Sequence, residues 1–331
     1  MPSEPAPPKA PASRAKLILW QRPMVVVLLA AIPPAAAAVY FFGWRVLLML
    51  AVSALAAAVT EWVFLRKTGK PVTSAVFVTS TLLVLTLPPS LPLWMVVVGA
   101  VVAVAFGKMM FGGFARNAFN PALVGRCFLY ICFPVQMTSS FWLPPDGSWR
   151  ALKSWALPYD ALTAATPLNL WRDLARDYHY DAASLYLGNI GGSAGETCAV
   201  AIALGALILL LTRTANWRLV VGTLLGALAA SSIGFFLGVR RVPDPVFTLG
   251  AGGLLFAAVY MVTDPVSAAR TRLGQWLSSV GVGVLTVILR SFSIFAGGVM
   301  FAVLLMNTFS PLFDLAGARK SAAKPAKETD S

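Results

Sequence analysis

The run Asp160-Ala-Leu-Thr163-Ala-Ala-Thr166-Pro167 places a carboxylate and two hydroxyls in a short polar stretch of an otherwise apolar chain. Crossing a bilayer does not require such a run. Its chemistry is that of an attachment point, because a threonine oxygen can be esterified. The plain alternative is an Asp-started turn with a Ser/Thr motif. A second group, Arg116, Asn117 and Asn120, follows Gly112-Gly113. Asparagine amides donate and accept at once, which suits the carbonyl and N–H edge of a flavin or quinone. The same amides suit helix capping equally well. Arg126 falls about two turns into an apolar stretch, where a guanidinium needs an anion or a polar cavity. Glu61 and Glu196 sit at span ends. Glu196 follows Gly191-Gly-Ser-Ala-Gly195 and is expected to complement a helix N-terminus. Asp264, before Pro265, is expected to tie down a turn.

The elements that must position these groups follow from composition. The chain has 331 residues, 58% hydrophobic and 12% charged. Soluble domains carry roughly 25% charged residues. Mean hydropathy is +0.76, and several apolar runs approach the ~20 residues of a spanning helix. The fold class is an all-α polytopic membrane protein. The net charge of +13 is concentrated beside apolar runs, so it points to the edge of a lipid bilayer and not to nucleic acid. Cys127, Cys132 and Cys198 form no CxxC pair and encode no zinc or iron–sulfur site. The single histidine, His179, is expected in a loop.

About ten helices are expected, at 23–42, 46–65, 72–87, 92–110, 120–137, 194–212, 218–238, 246–263, 275–291 and 295–313. The third and ninth are marginal in length. They flank a loop at 138–193, with a polar tail over 1–22 and a basic tail over 315–331. With the amino terminus in the cytoplasm, inner segments collect Arg66, Lys67, Lys70, Lys108, Arg213, Arg270 and Arg272, and outer ones carry fewer, among them Arg240, Arg241 and Arg290. The positive-inside rule then puts both termini inside and the Thr166 loop outside, in the periplasm. Trp20, Trp44, Trp62, Trp94, Trp142, Trp217 and Trp276 fall where an interfacial belt is expected. Asn117-Ala-Phe-Asn-Pro and Asn307-Thr-Phe-Ser-Pro echo one another across the halves 23–137 and 194–314. Five spans per half require the second copy to insert upside down, giving two inverted five-helix repeats with broken or short helices.

The stretch Gly107-Lys-Met-Met-Phe-Gly-Gly-Phe-Ala-Arg-Asn-Ala-Phe-Asn-Pro-Ala-Leu-Val-Gly-Arg-Cys-Phe-Leu129 resembles the signature of the Nqr B / Rnf D subunits. These are membrane subunits of the sodium-pumping NADH:quinone oxidoreductase and of the Rnf ferredoxin:NAD oxidoreductase. Phe133-Pro-Val-Gln-Met-Thr-Ser139 and Gly191-Gly-Ser-Ala-Gly-Glu-Thr197 look closer to the Rnf D branch. Thr263-Asp-Pro-Val-Ser267 and Leu305-Met-Asn-Thr-Phe-Ser-Pro-Leu-Phe-Asp314 are similar to both. The resemblance covers about residues 60–315.

That resemblance implies FMN carried by phosphoester on the threonine that ends a Ser/Thr-Gly-Ala-Thr motif. The matching residue is Thr166, with Asp160 and Thr163 shaping the loop or its recognition by a flavin transferase. Ala164 stands where the family usually has glycine. Some relatives of the B type also hold riboflavin, for which Arg116, Asn117 and Asn120 are the candidate region. The implied role is an electron relay in a bacterial inner-membrane complex with flavoprotein and iron–sulfur subunits. The chain would not be catalytic alone, since it carries no dinucleotide fingerprint and no cluster ligands. Two other readings fit the same residues: a solute transporter or channel built from inverted repeats, and a scaffold subunit without flavin.

Overall fold

The computed structural model describes residues 18–138, 166–174, 179–293 and 297–322. Asp160, Thr163, Ala164 and Trp142 lie outside the described residues. Among the described residues the molecule is helical, apart from a two-residue parallel pairing of Ile18–Leu19 with Val72–Thr73.

Among the described residues, six helical stretches are long and apolar enough to cross a membrane: Arg22–Phe42, Arg45–Leu65, Leu93–Phe111, Trp217–Phe236, Arg272–Phe292 and Val299–Ala318. Shorter apolar helices cover Ala75–Leu85, Pro121–Cys132 and Ala199–Leu211. The expected third helix is indeed short. The expected ninth is not: Arg272–Phe292 runs 21 residues, N-capped by Thr271, whose side chain accepts from Gly274 N–H. The stretch expected at 246–263 is broken into Pro245–Gly250, Leu254–Phe256 and a widened turn at Ala257–Met261. Gly252, in the left-handed region at φ +65°, makes the break. In the widened turn Val262 N–H donates to Ala257 O, five residues back, at 2.8 Å. Such turns recur at functional sites.

Short and broken helices leave backbone groups that lipid cannot satisfy. Protein satisfies them here. Gly195 N–H and Ala194 N–H donate to Leu85 O and Leu87 O, at 2.7 and 3.0 Å. The Arg45 side chain donates to the carbonyls of Pro89 and Leu91, at 3.1 and 3.0 Å. Close helix approach relies on small residues, as it does within membranes. A Cβ on Gly226 or Gly283 would strike the backbone of the opposite helix, which locks Trp217–Phe236 against Arg272–Phe292. Gly125 lies as tightly against Gly99 and Ala103, fixing Pro121–Cys132 on Leu93–Ala105.

The residues expected in an interfacial belt are exposed at Trp20, Trp44, Trp62, Trp94 and Trp217. His179 is exposed and outside any helix, and the cysteines are free thiols. Asp264 ties its turn as expected, accepting from Val266 N–H and Ser267 Oγ. Two basic residues counted with the charges of the inner and outer segments require correction. Lys108 is 2% exposed and Arg290 is 6% exposed, in the last turn of Arg272–Phe292. Counting cations between apolar runs treats every one as solvated, whereas these two are buried against protein partners.

Candidate functional site

The helix Pro121–Cys132, here α1, connects two cavities with polar residues in their walls, here labelled inner at its start and outer from its middle onward. Asn120 is its N-cap, with Oδ1 accepting from Ala122 N–H at 3.1 Å and Pro121 in the first position. Capping oxygen plus N-terminal proline is the expected start chemistry. Asn120 Nδ2 also donates to Met261 O at 3.3 Å, so the cap cross-links to the widened turn. Asn120 and Asn117 line the inner cavity together with Lys108, Tyr260, Thr263 and Asp264. Asn117 Nδ2 donates to Phe119 O at 3.0 Å. Arg116 is exposed and is not among the residues lining this cavity.

Beside the inner cavity lies a closed charge cluster. Lys108 Nζ donates to Glu61 Oε2 at 2.7 Å and to Thr73 Oγ1 at 2.6 Å. Thr73 donates to Glu61 Oε1 through both N–H and Oγ1, at 3.2 and 2.8 Å. One cation meets one anion, and each Glu61 oxygen has a donor.

The outer cavity is lined midway along α1 and beyond by Arg126 and Tyr130, and from elsewhere by Thr166, Glu196, Gly252 and Arg290. Arg126 Nη1 donates to Glu196 Oε1 at 2.6 Å. Glu196 therefore serves a guanidinium 70 positions away and not the helix N-terminus expected of it. Arg290 Nη1 donates to Thr248 O and Ala251 O at 3.3 and 3.0 Å, which are the free carbonyls where the broken helix ends. Arg126 Nε, Arg290 Nε and Nη2, and Thr197 Oγ1 are buried with no hydrogen-bond partner among the described residues. The lining carries two guanidiniums and one carboxylate, a net charge of +1.

Thr166 enters this cavity as a helix cap. The helix Pro167–Leu174, here α2, starts with proline, and Thr166 O accepts its first helical bond from Leu170 N–H at 3.0 Å. Thr166 Oγ1 accepts from Asn169 N–H at 3.3 Å. The dipeptide Thr-Pro is thus a capping signal on a residue that also lines the cavity. α2 is held by a separate apolar cluster of Leu168, Trp171, Leu185, Phe247 and Ala251. Tyr180 packs on Phe247 and donates to Asp244 Oδ1 at 3.0 Å. Burial, then the bond to Asp244, pushes the Tyr180 phenol up to about 12.

Sequence reasoning brought Thr166 and Arg126 forward without placing them in one cavity. It missed Arg290 and the Gly252-Gly253 pair. A guanidinium in the last turn of an apolar helix was the available signal for the first. A residue at Gly252 would need φ +65° and would place its Cβ 3.0 Å from Arg290 Nη2, while a Cβ on Gly253 would collide with the Glu196 carboxylate.

The residues present fit FMN at the outer cavity. The residues that carry unpartnered cationic nitrogens, the Gly252-Gly253 pair and the esterifiable Thr166 line one cavity. At the inner cavity each asparagine keeps amide capacity beyond the bonds described.

A model of the NQR2, RnfD, RnfE family matches residues 11–322. The B subunit of the Na(+)-translocating NADH-quinone reductase of Pseudomonas paraeruginosa (strain DSM 24068 / PA7) is 39% identical over 249 residues, covering 72% of this chain and 58% of that protein. The D subunit of the ion-translocating oxidoreductase complex of Alcanivorax borkumensis is 34% identical over 288 residues, covering 82% and 83%. The match thus spans under two thirds of the Pseudomonas relative and most of the Alcanivorax one.

Proposed function

The chain belongs to the NQR2, RnfD, RnfE family, and we propose that it is the flavin-carrying membrane subunit of a redox-driven ion translocase. FMN is held by phosphoester on Thr166, and electrons pass between partner subunits through it. The observation that carries this reading is the capping hydroxyl of Thr166 at the wall of a cavity with surplus positive charge. The bound ring supplies the redox chemistry. The chain supplies a tether at Thr166, a cationic wall from Arg126 and Arg290, and a glycine floor at 252–253. Attachment needs an activated flavin dinucleotide and a flavin transferase. The phosphoanhydride bond breaks, the Thr166 Oγ–P bond forms, the hydroxyl proton leaves, and a nucleoside monophosphate departs. The finer architecture belongs to the same proposal: ten spans in two inverted repeats, in a bacterial inner membrane, with both termini cytoplasmic and Thr166 periplasmic. Partners are the flavoprotein and iron–sulfur subunits that the chain's lack of a dinucleotide fingerprint and cluster ligands calls for. Riboflavin at Asn117 and Asn120 of the inner cavity is the accompanying proposal.

The test is co-expression with a flavin transferase, followed by a denaturing gel under ultraviolet light. A fluorescent band that Thr166→Val abolishes is the expected result. Absence of the band in the parent chain, with the transferase active on a control, would leave a transporter or a flavin-free scaffold.

A further inference from the structure

We propose that the outer cavity is a built anion site whose counter-charge is Arg290, and that the anion it takes is the phosphate of FMN. Naming FMN rests on the reading of Thr166 as a tether; the anion site stands on its own geometry.

Charge is the starting point. Glu196 is bonded to Arg126 at 2.6 Å, and its single negative charge is set against two guanidiniums, so one positive charge is in excess within the lining. Arg290 is 6% exposed, and its hydrogen bonds among the described residues go to carbonyl oxygens, which are dipoles and not anions. A buried guanidinium left in that state is costly unless an anion joins it. Nε and Nη2, its two unpartnered nitrogens, are adjacent corners of one planar fork. That fork matches two oxygens of a phosphate.

Position comes next. The point where a Cβ of Gly252 would stand is 3.0 Å from Arg290 Nη2 and 3.6 Å from Leu168 Cδ2. Leu168 is two residues beyond Thr166, in the first turn of α2. The unpaired fork therefore lies next to the turn that Thr166 caps. A phosphate esterified to Thr166 Oγ sits at the N-terminus of an eight-residue helix, where backbone N–H groups already favour negative charge. Helix end and Arg290 converge on one volume. A neutral flavin such as riboflavin would leave the surplus charge unmet.

The experiment uses the full chain carrying Thr166→Val, which cannot be esterified, purified in detergent and titrated with FMN and with riboflavin by fluorescence quenching. Arg290→Gln is expected to weaken FMN at least tenfold and to leave riboflavin unchanged. Arg290→Lys is expected to keep most of the FMN affinity, since the charge survives without the fork. Inorganic phosphate is expected to compete with FMN and not with riboflavin. Equal loss of both flavins in Arg290→Gln would assign Arg290 to structure alone and overturn the site. So would an unchanged FMN affinity, or failure of phosphate to compete. The tether is judged separately, from the peptide mass around residue 166 in the parent chain after co-expression. No FMN adduct together with an Arg290-dependent preference for FMN removes the tether and keeps the anion site. An adduct without that preference does the reverse.

Discussion

The two buried charge clusters flank α1 and differ in one respect. Around Glu61 every charge is met: Lys108 opposes it and Thr73 fills the remaining oxygen. Around Glu196 there is one cation too many, and three guanidinium nitrogens have no hydrogen-bond partner among the described residues. A closed cluster holds elements together, here the helix Arg45–Leu65, the strand Val72–Thr73 and the end of Leu93–Ala105. An open cluster is shaped for something that arrives later. The difference separates a structural ion pair from a binding site better than burial does, because both clusters are buried.

Breaking each cluster sharpens that contrast. Glu61→Gln strands Lys108 in the interior, and its cost is expected to be about 3–5 kcal/mol, the usual penalty for removing one partner of a buried pair. Thermal unfolding in detergent reads it, and the double variant Glu61→Gln/Lys108→Met should recover most of the loss. No added anion should rescue the single variant. Glu196→Gln is expected to behave differently: added phosphate should raise its melting temperature more than that of the parent chain, because the cavity then holds two unmatched guanidiniums. Rescue of both variants by phosphate, or of neither, would erase the distinction.

Gly253→Ala comes next in size. Its methyl would displace the Glu196 carboxylate from Arg126, at roughly 1–3 kcal/mol for a forced shift in a packed site. Flavin attachment at Thr166 is expected to fall with it, read as gel fluorescence per unit protein. Thr166→Val, beyond losing flavin, removes a helix cap worth about 1 kcal/mol. Proteolysis within α2 should quicken while the main melting transition stays in place.

The smallest effect concerns pH. The Tyr180 phenol ionises near 10 in the unfolded chain and near 12 in the folded one. The folded state therefore holds the proton more tightly. Its stabilising contribution is complete below pH 10 and is lost as pH rises toward 12. Tyr180→Phe should flatten that part of the stability profile. An unchanged slope between pH 10 and 12 would show that Tyr180 is not the titrating group.

Long helices such as Arg45–Leu65 were legible because twenty apolar residues in a row have one stable outcome in lipid. Thr166 came forward through the resemblance, and the structure shows it capping a helix and lining the outer cavity. The charge pairs were not legible. Glu196 and Arg126 are 70 positions apart, and only the packing of α1 against the loop at 191–197 joins them. Arg290 was counted with the outer-segment cations because hydropathy alone does not distinguish a solvated arginine from one roofed by a broken helix. Asn120 was left open between ring contact and capping. It caps, and its other amide end reaches Met261, while still lining the inner cavity.

The shortness of the central helices has an electrical consequence. Asn120 and Arg126 stand six positions apart on α1, about 9 Å at a rise of 1.5 Å per residue. The hydrocarbon layer of a bilayer measures about 30 Å. Wherever water enters both recesses, the voltage across the membrane falls over that narrow septum instead of the full lipid thickness. The field there is then several times steeper than in the surrounding lipid, and it acts across fewer than two turns of helix.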